Sequence, residues 1–107
     1  MSAMNELEIL KCLADETRLR LLLLISREGE LCLCELMSAL DEGQSKISRH
    51  LAQLKRCGLL ADRRKGQWVF YDLAANMPSW LRQLLDGLAA DQPQLEDDRS
   101  RLVRAAC

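Results

Sequence analysis

Residues 44–56, QSKISRHLAQLKR, constrain the fold of this chain more than any other stretch. Their apolar members Ile47, Leu51 and Leu54 recur at i, i+4 and i+7, one stripe of an α-helix. Lys46, Ser48, Arg49 and Gln53 point away from that stripe, so the opposite face carries cations and small hydroxyls suited to a polyanion. Two shorter helical patterns just before it, at residues 15–27 and 33–40, supply a scaffold for the stripe to pack on. A basic run at 62–72 follows it.

The rest of the chain fills in around that helix. Met4, Leu7, Leu10 and Leu13, with Ile9 beside them, form a helical stripe through the first segment. Asp15 is placed to cap the next helix, whose run 19–25 is apolar nearly all round and belongs at the centre of the core. Gly29 ends that helix. Residues 40–43 turn into the helix at 44–56, with Gly43 free to take φ > 0, and Gly58 closes it. Residues 59–63 and 67–73 then read as two strands about a turn at Gly66. In the second strand Val69, Tyr71 and Leu73 alternate with Trp68 and Phe70. Asn76 is expected to cap a fifth helix with Pro78 in its first turn. Met77, Trp80, Leu81, Leu84, Leu85 and Leu88 follow there at helical spacing, until Asp91, Gln92 and Pro93 break the pattern.

Residues 94–107 are charged, with Leu95, Leu102 and Val103 spaced for at most a weak helix. The expected organisation is a folded unit at 1–91 and a charged tail at 92–107, weakly helical or disordered. A chain of 107 residues makes one domain, or a domain that buries much of its surface by pairing.

A net charge of −1 argues on average against a nucleic-acid partner, but its distribution reverses that. Residues 43–70 carry Lys46, Arg49, Lys55, Arg56, Arg63, Arg64 and Lys65 against Asp62 alone, a net +6, while the two flanks sum to −7. A basic centre in an acidic body is the electrostatic footprint of one face. No run approaches the roughly 18 apolar residues of a membrane span. Glu6 and Glu8 stand where an export signal would need a basic and then an apolar region. A cytoplasmic chain with no membrane partner is expected. Its five cysteines, an odd number, then read as thiols rather than as a disulfide framework.

Helix, helix, helix-turn-helix, basic wing, helix is the order of a winged helix-turn-helix (ααα-α-ββ-α), mainly α with a small β-hairpin. On that frame Gln44 opens the recognition helix, and Lys46, Ser48 and Arg49 are expected in a major groove. Ser45 and His50 are expected on phosphates, and Arg63, Arg64 and Lys65, at the wing tip, on backbone or minor groove. The stripes of the first and fifth helices are broad for so small a domain. Leu7, Leu10, Trp80, Leu81, Leu84, Leu85 and Leu88 are therefore assigned to the seam of a homodimer. A dimer presents two recognition helices to the two half-sites of a double-stranded operator.

Cys32 followed three residues later by Glu35 has the spacing of a capping box, with a thiol where Ser or Thr normally stands. Cys32 is then the N-cap and Cys34 the second helical residue. Two positions apart inside a regular helix, side chains diverge by roughly 200°. At a helix start the N-cap backbone is not helical, so its side chain can fold back over the first turn. The two sulfurs can converge there, and the positive helix terminus attracts anionic sulfur. Cys12 and Cys57 lie at helix ends beside apolar residues and read as small buried hydrophobes.

The runs Leu13-Ala14-Asp15-Glu16-Thr17-Arg18-Leu19, Glu30-Leu31-Cys32-Leu33-Cys34-Glu35-Leu36 and Ser45-Lys46-Ile47-Ser48-Arg49-His50-Leu51 resemble the ArsR/SmtB family of metalloregulatory repressors. Gly58-Leu59-Leu60, Asp62-Arg63 and Gly66-Gln67-Trp68-Val69 extend the resemblance to about residues 7–90, and Cys32-Leu33-Cys34 looks most like the arsenical-responsive branch. The resemblance implies a homodimer on an operator upstream of a resistance operon, released when As(III) or Sb(III) binds. Cys32 and Cys34 then match the family's thiolate ligands, soft donors for a thiophilic centre. The chain departs from the pattern at Met37, where such sensors often carry a third cysteine one turn after Cys34. The third donor is left among Cys107, Cys12, Cys57, an external thiol or none. With two protein thiols the site suits a methylated arsenical, which brings its own carbon ligand.

Other classes stand beside this one. A Cd(II)- or Pb(II)-responsive repressor of the same family uses thiolates too, though usually with cysteines in an N-terminal extension, and none precedes Cys12. A thiol redox-sensing repressor would oxidise Cys32 or Cys34, with a direct bond between them strained by their spacing. An oxyanion enzyme would use the Cys-x5-Arg spacing of Cys12 and Arg18. Asp15 and Glu16 would repel an anion in that loop, and Cys57 and Arg63 repeat the spacing by chance.

Overall fold

The computed structural model describes residues 5–102. Asn5 opens α1 (Glu6–Leu13) by accepting the Glu8 N–H at 2.8 Å. Asp15 opens α2 (Glu16–Glu28) in the same way, accepting the Arg18 N–H at 3.1 Å, and Gly29 closes it at φ 85°. A two-residue strand, β1 (Leu31–Cys32), leads directly into α3 (Leu33–Leu40). The recognition-type helix α4 (Gln44–Arg56) follows, then the hairpin β2 (Leu60–Lys65) and β3 (Trp68–Leu73). The chain continues through α5 (Ser79–Ala90) and α6 (Pro93–Arg101). No helix among the described residues is long and apolar enough to cross a membrane.

The fully buried residues Leu21, Leu22 and Leu24 of α2 sit at the middle of the core, as its all-round apolar run requires. Ile47, Leu51 and Leu54 of α4 are buried in the same cluster with Leu36 of α3, so the stripe found in the sequence is the packed face. The three strands form one antiparallel sheet in the order β1-β3-β2. Lys65 pairs with Trp68, leaving Gly66 and Gln67 as a two-residue turn, with Gly66 at φ 64°. Positive φ at the first position of such a turn matches the twist of the strands it joins.

Several features differ from the sequence expectation. The strand β1 pairs Leu31 with Tyr71 and Cys32 with Phe70, adding a third strand to the wing. The left-handed residue in the turn before α4 is Asp41, at φ 55°, whereas Gly43 is an extended N-cap at φ −74°. Pro78 rather than Asn76 is the N-cap of α5. Residues 93–101, expected as part of a weakly helical tail, form a docked helix. Leu95 and Asp98 of α6 are buried against the body, and Arg101 Nε donates to the Ala39 carbonyl of α3 at 2.9 Å. A buried ion-pair cluster, rather than an apolar stripe, holds this helix. Asp98 accepts from Arg20 at 2.7 Å and from Arg101 at 2.8 Å.

Candidate nucleic-acid face and thiol site

The face of α4 opposite its buried stripe carries the expected cations. Gln44, Ser45 and Arg49 are exposed, and Lys46 and Ser48 partly so. Lys46 is drawn back toward Glu42 at 3.1 Å, one turn earlier, whereas Arg49 has no ion pair among the described residues. His50 behaves otherwise. Its ring is buried, and Nδ1 lies 3.4 Å from Arg18 Nη1 and 3.9 Å from Asp15. Arg18 also donates from Nε to the Cys12 carbonyl at 2.7 Å. His50 therefore ties α4 to the start of α2 instead of reaching outward to a phosphate. Burial holds its imidazole below the ordinary 6.5; Asp15 opposes this, while Arg49, Arg18 and Lys46 reinforce it. Asp15 loses some solvation itself, but the Arg18 N–H and the nearby cations hold its carboxyl below the usual range.

At the wing, Arg64 and Lys65 are exposed beside the turn and make no ion pair among the described residues. Arg63 is exposed but engaged. Its Nε and Nη2 donate to the two oxygens of Glu30 at 2.9 and 2.6 Å, and its guanidinium lies 5.9 Å from the centre of the Phe70 ring. The hydrogen bonds from Arg63 hold the Glu30 carboxyl below its usual range. Arg63 thus spans the sheet from β2, over Phe70, to the residue just before β1. Sequence reading missed Glu30 and Phe70 because the first bond joins residues 33 positions apart.

The two cysteines of the Cys-x-Cys run stand where the capping box puts them, but against the expectation of thiols throughout Cys32 is disulfide-bonded, whereas Cys34 is a free thiol. Cys32 is the N-cap of α3, with φ −88° and ψ 167°, and its N–H donates to the Glu35 carboxylate at 2.9 Å. Cys34 is exposed in the first turn. Because Cys32 is also paired with Phe70, one residue belongs to the first turn of α3 and to the wing sheet. Among the described residues no three His, Cys, Asp or Glu side chains gather to hold a metal ion. Met37, one turn after Cys34, adds a thioether, which cannot replace an anionic thiolate. Cys107 lies outside the described residues. Cys12 is buried, and burial, joined by a hydrogen bond with Cys57, pushes its thiol up to about 12, the behaviour of an inert core residue.

The seam residues divide. Leu7 and Leu10 are 61% and 46% exposed, an apolar pair left uncovered on α1. Trp80, Leu84 and Leu88 are partly buried on α5. Leu81 and Leu85, expected at the seam, are fully buried in the chain's own core.

Comparison with known proteins agrees with this geometry. Residues 15–62 match the profile described as "Bacterial regulatory protein, arsR family". The chain is 57% identical over 96 residues to the arsenic resistance transcriptional regulator ArsR1 of Pseudomonas putida, covering 89% of this chain and 75% of that one. It is 44% identical over 108 residues to the arsenical resistance operon repressor of Escherichia coli K12, covering 100% and 92%. The structure of HlyU from Vibrio cholerae superposes with a TM-score of 0.69 at 38% identity, covering 79% of this chain and 91% of that one. These relatives are transcriptional regulators rather than enzymes.

Proposed function

The chain belongs to the arsR family of bacterial regulatory proteins, and from that premise we propose that it is a cytoplasmic, homodimeric repressor of an arsenic-resistance operon. It leaves its operator when As(III), Sb(III) or a methylated arsenical binds the reduced thiols of Cys32 and Cys34. The single observation that carries this reading is the double membership of Cys32, N-cap of α3 and strand partner of Phe70 in the wing.

The DNA-bound form follows from the exposed face. Lys46, Ser48 and Arg49 read base edges from the N-terminal half of α4, with Gln44 and Ser45 beside them. Arg64 and Lys65 reach backbone or minor groove. Arg63 braces the wing through Glu30, so its contribution to DNA binding is to position its neighbours. A second copy covers Leu7 and Leu10, with Trp80, Leu84 and Leu88 continuing the seam, and sets two recognition helices one DNA turn apart, about 34–36 Å.

Switching starts at the sulfurs. Each As–OH bond exchanged for As–S carries the thiol proton away as water, and the arsenic stays trivalent. Holding one centre draws the exposed Cys34 toward Cys32 and deforms the first turn of α3. The deformation has two outlets. Leu33 and Leu36 pack in the same cluster as Ile47 and Leu51 of α4, and Cys32 carries the pull through Phe70 into the wing. A coupling of about 1–3 kcal/mol between ligand and DNA changes operator affinity by roughly 5- to 150-fold.

The docking of α6 supports Cys107 as third donor. Arg101 is tied to Ala39 near the end of α3, and α3 itself is about 12 Å long at 1.5 Å per residue. The six residues from Arg101 to Cys107 reach about 20 Å when extended, enough to return to Cys32 and Cys34. Titration of reduced protein on a labelled duplex with As(III), methylated As(III), Sb(III), Cd(II) and Pb(II) tests the reading. Release by the arsenic and antimony species at the lowest concentrations supports it. A Cys107→Ser protein weakened toward As(III) but intact toward methylated As(III) identifies the tail thiol. Release by Cd(II) or Pb(II) alone contradicts the inducer assignment.

A further inference from the structure

Cys12 and Cys57, far apart in the sequence, meet in the fold. Cys12 lies in the last turn of α1 and is buried, whereas Cys57 is the C-cap of α4, partly exposed at the edge of the same core. Both are free thiols, and a hydrogen bond joins them. Arg18 of α2 already links the two helices beside that pair. Its Nε donates to the Cys12 carbonyl at 2.7 Å, and its Nη1 stands 3.4 Å from His50 Nδ1 on α4. Neither thiol belongs to the Cys-x-Cys run, and the function proposed above uses neither.

We propose that Cys12 and Cys57 form a redox modification site, which a low-molecular-weight disulfide such as oxidised glutathione closes to a bond fastening the recognition helix α4 to α1. The exchange balances in two steps. The partly exposed Cys57 sulfur attacks one sulfur of the reagent, whose S–S bond breaks, and one glutathione leaves with the Cys57 proton. The Cys12 sulfur then displaces the second glutathione from Cys57 and passes its own proton to it. Two protein thiols lose two electrons, and one glutathione disulfide is reduced to two thiols. Burial holds the Cys12 thiol up at about 12, so reagents in solvent react first at Cys57 and closure is the slow step. A cytosolic pair of this kind rests reduced and closes only under oxidising stress. An S–S bond of about 2.05 Å is shorter than any hydrogen bond between thiols, so closure draws the C-terminal end of α4 toward α1. The helix carries Lys46, Ser48 and Arg49 with it, and two such helices lose their match to two half-sites. This effect on DNA rests on the repressor reading above; the bond itself does not.

The test uses full-length protein, fully reduced, then incubated with oxidised glutathione, alkylated at its remaining thiols and cut with trypsin. Cys12 and Cys57 fall in separate peptides, 12–18 and 57–63, bounded by Lys11, Arg18, Arg56 and Arg63. A mass equal to the two peptides joined, less two hydrogens, is expected. Cys57→Ser keeps every other cysteine and so isolates this bond. Oxidised wild type should melt at least about 5 °C above oxidised Cys57→Ser, from the loop the bond closes. It should also bind operator at least about fivefold more weakly. Both differences should vanish when the two proteins are reduced. Should Cys57→Ser fail to fold, Cys12→Ala removes the other partner and makes the same comparison. Absence of the joined peptide while Cys34 is oxidised overturns the site. A joined peptide with equal operator affinities keeps the site and overturns its effect on DNA. A reduced wild type that binds no operator defeats the repressor reading alone, since the peptide and the Tm still report the bond.

Discussion

Replacing Asp98 by alanine tests whether the last helix is held as the structure shows. Asp98 is fully buried and accepts from Arg20 at 2.7 and 3.1 Å, from Arg101 at 2.8 Å and from Gln94 at 3.0 Å. Truncating one partner of a buried pair costs roughly 3–5 kcal/mol when the other charge stays buried and unpaired. Here the cost is smaller. The Arg101 side chain is already 39% exposed and recovers water, whereas Arg20, at 15%, recovers little. About 2–3 kcal/mol is expected, or roughly 10–20 °C in Tm for a domain of this size. Part of the loss appears as local opening, because Leu95 is the main apolar anchor of α6. Urea unfolding by circular dichroism measures the global cost, and amide exchange at residues 93–101 measures the local one. Asp98→Asn keeps an acceptor and should lose less. A loss below about 1 kcal/mol with unchanged protection of α6 would show that the ion-pair cluster does not hold the helix.

Arg49→Ala should weaken operator binding by about 1–3 kcal/mol and relax specificity, whereas Lys65→Ala should weaken all sequences alike and lower the salt slope by about one contact. Fluorescence anisotropy on specific and random duplexes at several salt concentrations separates the two. Leu10→Glu, at an exposed position, should leave the monomer fold intact but yield monomers in sedimentation with little operator affinity; a dimer that persists contradicts the seam. His50, held below 6.5 by burial, makes stability fall as pH drops below about 6.5, because the unfolded chain takes up a proton that the folded one resists. Urea midpoints between pH 7.5 and 5 should show that fall, and His50→Gln should flatten it.

The features legible in the sequence are those that local pattern controls. The stripe of α4, the all-round apolar α2, the Asp15 cap and the Cys32/Glu35 box each depend on residues a few positions apart, and each appears in the structure. Long-range partners were illegible. Nothing in two residues at 31–32 announces a strand until β3 is placed beside them. Arg63 looks like a wing-tip cation until Glu30 takes it, and His50 looks like a surface residue of a basic helix until Arg18 and Asp15 are found behind it. α6 reads in the sequence as at most a weak helix because polar residues anchor it. Its Arg20–Asp98 pair joins residues 78 positions apart, and charge in a sequence normally signals solvent. On α5, periodicity found the apolar residues but could not say which faced inward. Leu81 and Leu85 were thus grouped with Trp80, Leu84 and Leu88.

The central claim is that the thiols at the start of α3 transmit ligand binding to the DNA-reading elements. Release of a labelled operator from the reduced Cys32→Ser, Cys34→Ser double variant tests it most directly. Serine puts a good N-cap oxygen where the sulfur stood at position 32, so the variant should bind operator with wild-type affinity and stay bound at arsenite concentrations that fully release the wild type. Full release of the double variant by arsenite would contradict the mechanism.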